Sequence, residues 1–586
     1  MQNISDELFL AENIFRKSKY LKRELRKKKD LNNIKVAILG GSSTNEVKNI
    51  LEIFLLKKNF NPSFYETEYN DYIRELLDPE SEIKKFKPHI IYVHFSVLNL
   101  NLYSKNNSET TQLYESETKK LLYLWEILKP FNCPIIQNNF ELPIFRPLGN
   151  YEFYSKSGKV NLVNKLNKFI AEQADNNDAL LINDINYLSA KIGHDNWFNF
   201  DLWIKAKYST SFKAVPALCQ SIASIVMAVF GQSKKLVILD LDDTLWGGIV
   251  GEGVENIRIG QDGGEGEYYT YFQEYIKTLS QNGIVLAINS KNDIENAEQG
   301  ISHPQSKLAI NDFSTIKSNW ERKDENISKI LQSLNISQDH TVFIDDNPIE
   351  REIVSKAFPN IKIINFNKLD QLKLLDSNNL FEVYLQSKED KNRNKYYQDN
   401  NERVSFSNKF QDYDDFLREL KMDAKIETFN KINLNRTVQL INKTNQFNIN
   451  GIRQTQESVT NFMNSHEYIT LQGQLADLYG DNGITAIIIA KINKNSLEII
   501  QFLMSCRVIG RNFEYAMMDV LISEAIKHKL KKIIGIYKKT SKNHLVKNLY
   551  KDLGFNLIKW DKINESKWEI NVSAYSGKNK LIKVNK

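Results

Sequence analysis

The sequence predicts an α/β protein built of several domains. Three observations lead there. A chain of 586 residues exceeds what one hydrophobic core supports and suits three or four domains. Short apolar runs such as "LVILDLDD" and "HTVFIDDNP" recur, each ending in polar residues, with helical stretches between them. The 41% hydrophobic and 26% charged content is that of a globular chain able to bury such runs.

Taken in order, "MQNISDELFL" places acidic residues where an export signal wants basic ones, so no secretion signal is expected. Residues 16–29 are strongly basic with leucines interleaved, which predicts a solvated helix ahead of the first strand. "IKVAILGGSST", "PHIIYVHFSVL", "CPIIQNNF" and "ALLINDINYLSAKIG" then predict an α/β domain over residues 1–231. Its last segment, "VPALCQSIASIVMAVFG", is interrupted by Gln220 and serines and is short for a membrane span; a buried helix is expected. A second α/β domain, residues 232–385, holds the strand-like runs "LVILDLDD", "GIVLAINSKND", "LAINDF" and "HTVFIDDNP". Residues 386–410 are polar and form a helical or loose connector, and residues 411–586 read as a separate α+β domain.

A net charge of +6 is small for this length and points away from nucleic acid. Cys133, Cys219 and Cys506 are far apart with no metal-ligand spacing, as expected in a reducing cytoplasm.

The chemistry concentrates in the second domain. Val237, Ile238 and Leu239 form a strand that runs straight into Asp240, Asp242 and Asp243. Carboxylates so crowded repel unless a cation or donors compensate them, and a divalent metal is the natural compensation. Residues two apart on an extended chain face the same way, so Asp240 and Asp242 can share a substrate, one attacking phosphorus and the other handling the leaving group's proton. Downstream, Ser290 and Lys323 supply a hydroxyl and a fixed cation, and Asp345 and Asp346 close another strand.

These residues resemble the four motifs of the haloacid dehalogenase superfamily. The resemblance implies Asp240 as nucleophile, Asp242 as general acid/base, Thr244 as an orienting partner, and Ser290 and Lys323 as phosphate ligands. It also implies Mg²⁺ held among Asp240, Asp242, Asp345 and Asp346. The short spacings from Thr244 to Ser290 and from Ser290 to Lys323 leave no room for a large cap, so an open site is expected.

The flanks sharpen this. "LDLDDTLWGGIVGE", "SKND", "NWERKDENI", "FIDDNPIERE", "TVQLINKTNQFNI" and "FLMSCRVIGRNFE" are similar to the FkbH-like family of glyceryl transferase/phosphatases. That resemblance implies removal of phosphate from 1,3-bisphosphoglycerate or a related three-carbon acyl phosphate. The glyceryl-type unit is then loaded as a thioester on an acyl carrier protein, for polyketide or surface-glycan synthesis. Two residues depart from the pattern: Asn289 stands where many relatives have a cysteine, so no covalent thioester forms there, and Asp243 replaces a common asparagine.

In the last domain "RVIGRN" lies between an apolar strand and a long helical stretch, where backbone amides can hold pyrophosphate. It resembles the acyl-CoA turn of GNAT acetyltransferases, and "NLYKDLGF" resembles that fold's second signature. Arg507, Gly510, Arg511, Asn512 and Tyr550 are thereby implied to bind coenzyme A or a carrier-bound phosphopantetheine. "LGGSST" resembles the nucleophile turn of SGNH hydrolases, but no D-x-x-H pair precedes Gly231; a degenerate hydrolase-like domain is expected, with His89, His94 and His194 structural. Two other functions stay open: a phosphatase fused to a CoA-dependent N-acyltransferase acting on a sugar, and a carrier-binding scaffold with a vestigial phosphatase fold.

Overall fold

A computed structural model describes residues 6–28, 31–100, 102, 110–261, 263–366, 372–373, 375–376, 379–384, 393–407, 409–444, 446–454, 456–540, 542–561 and 565–585. The chain divides into two compact units, Met1–Val229 with Glu382–Tyr384, and Phe230–Phe381 with Leu385–Lys586.

The first unit holds five parallel strands: β1 (Asn32–Gly40), β2 (Phe60–Glu66), β3 (Ile90–His94), β4 (Ile135–Asn138) and β5 (Leu180–Asn183), in the order β2-β1-β3-β4-β5. β3 and β4 are buried along their whole length, which is why they read as apolar runs. β2 has no such signature. It is an edge strand, half-exposed and carrying Pro62, a residue an edge tolerates because it has no N–H to give. The basic segment forms the helix Ala11–Leu25, with Ile14, Leu21 and Leu25 buried, Lys17 and Lys19 exposed and Lys22 paired with Glu52 at 2.6 Å; Lys29 lies outside the described residues. Val215–Val229 is a helix buried on every side. Among the described residues no helix is long and apolar enough to cross a membrane.

The second unit contains two sheets. The first is parallel throughout: β6 (Leu236–Leu239), β7 (Val285–Ser290), β8 (Phe313–Ser318), β9 (Thr341–Ile344) and β10 (Lys362–Ile364), ordered β10-β9-β6-β7-β8. Central β6 and β9 are wholly buried, and the sheet's strand ends carry Asp240, Ser290 and Asp345 to one edge. The strand expected in "LAINDF" lies further on: Ile310–Asp312 is a short 3₁₀ turn and β8 begins at Phe313, polar because it is an edge strand. No large cap interrupts the described chain between Thr244 and Lys323, in keeping with the short spacings of the motifs.

The other sheet is mostly antiparallel: β11 (Asp423–Glu427), β12 (Phe447–Asn448), β13 (Tyr468–Asp477), β14 (Gly480–Asn493), β15 (Ser496–Met504), β16 (Lys532–Lys538), β17 (Asn556–Asp561), β18 (Glu565–Asn571) and β19 (Lys583–Asn585). The path runs β17-β18-β16-β15-β14-β13-β11-β19, with β15 and β16 parallel and the helix Phe513–Lys527 between them, a GNAT-like arrangement. Of the connector, Arg393–Ser407 is helix; residues 386–392 and 408 lie outside the described residues.

Candidate active site

The strand ends of the parallel sheet of the second unit converge on one ammonium group. Asp240 follows β6, and its backbone N–H donates to Ile344 O at 3.0 Å, which pins it beside β9. Lys323 opens the helix Lys323–Leu334 and donates to Asp240 Oδ2 and Asp345 Oδ2, each at 2.6 Å. All three are dry: Lys323 is 3% exposed, Asp240 8% and Asp345 0%. Leu241 N–H and Asn347 N–H donate to the second oxygens of the two carboxylates, at 2.8 Å each. Burial alone would lower Lys323, but Asp240 and Asp345 together hold it above its usual range. Burial pushes Asp345 up to about 6, with Lys323 opposing and Asp240 adding to the shift. The ammonium gains from two carboxylates, whereas Asp345 bears a fully dry setting and a second negative charge.

Asp346 follows Asp345 and is raised by burial first and by Asp240 and Asp243 after it. Thr244, fully buried, points its hydroxyl at Asp346 Oδ1, 3.5 Å away. Oxygens of Asp240, Asp345 and Asp346 lie within 4.8 Å of one another, an all-oxygen group suited to a hard divalent cation. The carboxylate of Asp242 is not part of that group. Its Oδ1 accepts from Trp246 Nε1 at 2.9 Å and Val250 N–H at 3.0 Å, and its Oδ2 from Asn292 Nδ2 at 3.0 Å. Burial raises Asp242, against the hydrogen bonds from Val250 and Trp246 and with Asp240 and Asp243 adding charge. Asp243 turns away at φ +50°, accepting from Gly248 N–H at 2.7 Å beside Arg258.

Ser290 ends β7, buried, and its carbonyl accepts from Asn319 N–H at 3.1 Å. Sequence patterns marked Asn289 only as the residue standing in place of a cysteine, and did not single out Asn292 or Arg351. Asn289 Nδ2 donates to Lys323 O at 2.9 Å, tying the first turn of that helix to β7. Arg351 Nη1 donates to the carbonyls of Asp345 and Asp346 at 2.8 and 2.5 Å and holds their loop. Neutral amides and a backbone-directed guanidinium carry no spacing signal; only their neighbours in space reveal them.

The residues expected to hold a cofactor in the GNAT-like domain are engaged within the chain. Arg511 donates to Asp477 Oδ2 at 2.8 Å, and Arg403 grips both oxygens of the same buried carboxylate. Arg507 stacks on the Tyr396 ring at 4.2 Å. Gly510, at φ +83°, accepts through its carbonyl from the Tyr413 hydroxyl at 3.1 Å, and Asn512 at φ +60° precedes the helix. Tyr550 is buried with its ring against Gly535, where a Cβ would meet it at 2.3 Å, so its hydroxyl faces no open surface. In the first unit, Ser42 Oγ lies 3.1 Å from Ser209 Oγ, and Ser209 lies 3.2 Å from His94 Nε2. A serine therefore stands next to the residue of the SGNH-like turn, with the histidine buried behind it.

The family model described as the FkbH N-terminal domain matches residues 35–227, and that of NLI interacting factor-like phosphatases matches residues 235–393. Among solved structures, the N-terminal part of the protein BF1531 from Bacteroides fragilis, containing a phosphatase domain complexed with Mg, is 30% identical. It has a TM-score of 0.59, and the match covers 63% of this chain and 99% of that one. The ribosomal-protein-S18-alanine N-acetyltransferase from Escherichia coli matches at 12% identity and TM-score 0.21, over 26% of this chain and 96% of that one. No curated protein matches.

Proposed function

The chain belongs to the FkbH-like family of haloacid dehalogenase-superfamily phosphatases, and we propose that it dephosphorylates a three-carbon acyl phosphate of the 1,3-bisphosphoglycerate type and loads the acyl unit on an acyl carrier protein. The observation that carries the reading is Lys323 set between Asp240 and Asp345 at 2.6 Å, a fixed cation among carboxylates at the strand ends. Asp240, Asp345 and Asp346 would hold Mg²⁺, an oxygen-only donor set that fits it. Bound there, the ion supplies positive charge to phosphoryl oxygens.

The substrate carries two phosphates, and the residues treat them differently. At the ester phosphate, an Asp240 oxygen attacks phosphorus while the P–O bond to the sugar-acid oxygen breaks. Asp242, raised by burial, protonates that leaving oxygen, then takes a proton from the water that hydrolyses the aspartyl phosphate. Lys323 and the Ser290 hydroxyl neutralise and orient the transferring group. At the acyl phosphate, attack on phosphorus would waste the activated carbonyl. The pantetheine thiolate of the carrier attacks carbon instead, a thioester forms, and inorganic phosphate leaves. Asn289 cannot carry the acyl group, so transfer to the carrier is direct. The three cysteines are free, as a cytoplasmic enzyme allows.

The test is intact-mass spectrometry of a holo carrier protein incubated with the enzyme, Mg²⁺ and enzymatically generated 1,3-bisphosphoglycerate. A glyceryl-sized gain on the pantetheine arm is expected, abolished by EDTA, restored by Mg²⁺ and absent with Asp240→Asn. Phosphate release with an unmodified carrier would overturn acyl loading while keeping the phosphatase.

A further inference from the structure

The parallel strands β15 and β16 pair only from Ser496 with Lys532 through Ile499 with Gly535. Beyond that point they diverge. Diverging strands expose backbone N–H and C=O groups on both inner edges, and an extended ligand bearing amides, as the pantetheine arm of coenzyme A does, can add there as a strand does. In this chain the place is taken. β12 pairs with β15, Phe447 opposite Met504 and Asn448 opposite Leu503. Ile449 N–H donates to Phe502 O at 3.2 Å, and Ile449 O accepts from Lys538 N–H at 2.9 Å, so one residue bridges both strands.

Side chains lock the bridge. Asn543 Nδ2 donates to Asn448 O at 2.8 Å and Lys538 O at 2.9 Å, and Asn450 Nδ2 donates to Ile500 O at 2.6 Å. Gln501 Nε2 donates to Ile452 O at 2.8 Å. Phe447 and Ile449 are buried, Ile449 completely. Withdrawal would expose both and leave Asn448, Asn543 and the strand edges unsatisfied in the interior.

The arginines of the glycine turn are engaged by other residues. Arg511, which would neutralise a pyrophosphate, is spent on Asp477 together with Arg403, and Arg507 lies against Tyr396; Tyr396 and Arg403 both belong to the helix Arg393–Ser407. That helix also reaches the phosphatase sheet, through Arg393 to Gly283 O at 2.7 Å and Gln398 to Asn311 O at 2.6 Å. Lys542 pairs with Asp339 at 3.0 Å. Gly283, Asn311 and Asp339 precede β7, β8 and β9, whereas Ser290 and Asp345 lie at the far ends of β7 and β9.

We infer that residues 447–452 are the permanent occupant of the gap between β15 and β16, so that the C-terminal domain takes no coenzyme A and serves as a fixed brace on the strand-start end of the phosphatase sheet. It performs no acyl transfer of its own. The inference stands on these contacts whatever the substrate of Asp240.

The full-length protein is titrated with coenzyme A and acetyl-coenzyme A by calorimetry and melted with each at about 1 mM, a hundredfold excess over a dissociation constant of roughly 10 µM. No saturable heat and an unchanged transition are expected; a saturable isotherm or a rise of several degrees overturns the inference. Hydrogen–deuterium exchange on the same protein is read at the peptide holding residues 447–452. Protection as deep as that of β14 is expected, and exchange within seconds would make the segment a mobile strap and overturn its permanence. Asn543→Ala removes the lock from outside the phosphatase site. Faster exchange of residues 447–452 with unchanged phosphate release is expected, and exchange as slow as in the parent protein would show that Asn543 does not hold the segment.

Discussion

Two five-stranded parallel sheets in this chain end in polar residues, and the difference between those two edges separates a closed network from a reactive one. At the strand ends of the first unit, Ser42, Ser209 and His94 form a hydrogen-bonded chain that continues from His94 Nδ1 to the Tyr92 hydroxyl at 2.8 Å. Tyr92 also reaches Asn138 Oδ1 at 3.2 Å, which accepts from Asn183 Nδ2 at 2.8 Å. Each group is neutral and buried, so donors and acceptors satisfy one another and ask for nothing more. In the second unit, the carboxylates of Asp240 and Asp345 share one ammonium, Lys323, and that of Asp346 stands beside them. That edge carries unbalanced negative charge, which a cation and a phosphoryl group complete. Polarity at a strand end is therefore weak evidence of a site; charge left over after internal pairing is strong evidence.

The contrast breaks most completely at Asp240. Asp240→Asn keeps the shape and an acceptor for Lys323 but removes the attacking oxyanion, so phosphate release falls by about 10³-fold or more with the fold retained. Single-turnover phosphate assays beside a circular dichroism spectrum check both halves. Lys323→Met comes next. It matches the volume of a buried side chain and leaves two carboxylates facing each other, at a cost of about 3–5 kcal/mol in metal-free protein. Calorimetry of the phosphatase transition is expected to show that loss and its partial recovery in Mg²⁺.

The neutral edge hides an opposed pair of proton equilibria. Burial lowers His94 to about 4 from its ordinary 6.5, so below pH 6.5 the unfolded chain binds a proton that the folded one refuses. Stability then drops as pH falls from 6.5 toward 4. Burial raises Glu141 to about 7 from 4.5, against its hydrogen bonds from Ser96 and Val97, so between those values the folded chain keeps a proton that the unfolded one releases. Stability from this group drops as pH rises from 4.5 to 7. The two slopes cancel between about pH 4.5 and 6.5. Each group alone is worth about 3 kcal/mol. His94→Gln is expected to leave a transition that weakens as pH rises through this window, and Glu141→Gln one that weakens as pH falls; scanning calorimetry of full-length protein at stepped pH reads both.

Legibility in the sequence follows burial. β3, β4, β6, β7 and β9 announce themselves because strands covered on both faces must be apolar, and motif residues then stand out at their ends. The edge strands β2 and β10 carry no such run, and β8 lies beyond the apolar residues that suggested it, since one exposed side lets polar residues in. Asp240, Lys323, Asp345 and Asp346 lie together as their motif positions suggest. The roles of Arg511 and Tyr550 were not legible, because a turn's sequence does not reveal that Asp477 waits 34 residues upstream or that Gly535 leaves a hole for a ring. Nor does a two-residue strand such as β12 announce which gap it fills.

The smallest expected effect tests how far the charged edge depends on neutral neighbours. Asp242 is held by Trp246 and Val250 on one oxygen and by Asn292 alone among side chains on the other. Asn292→Ala frees Oδ2 to rotate or to gather water without changing any charge near the metal group. Correct placement of a general acid/base group is worth about 10²–10⁴ in rate, and one of three anchors accounts for a fraction of it, so kcat falls about tenfold. KM stays close to that of the parent protein, because Asn292 is placed against Asp242 and not against the phosphoryl ligands. Asn292→Asp would separate geometry from charge: it retains the length but sets a carboxylate against Asp242, and a deeper loss than Asn292→Ala shows that the amide's neutrality matters as well as its reach. Equal activity of all three proteins would mean that Trp246 and Val250 suffice to orient Asp242.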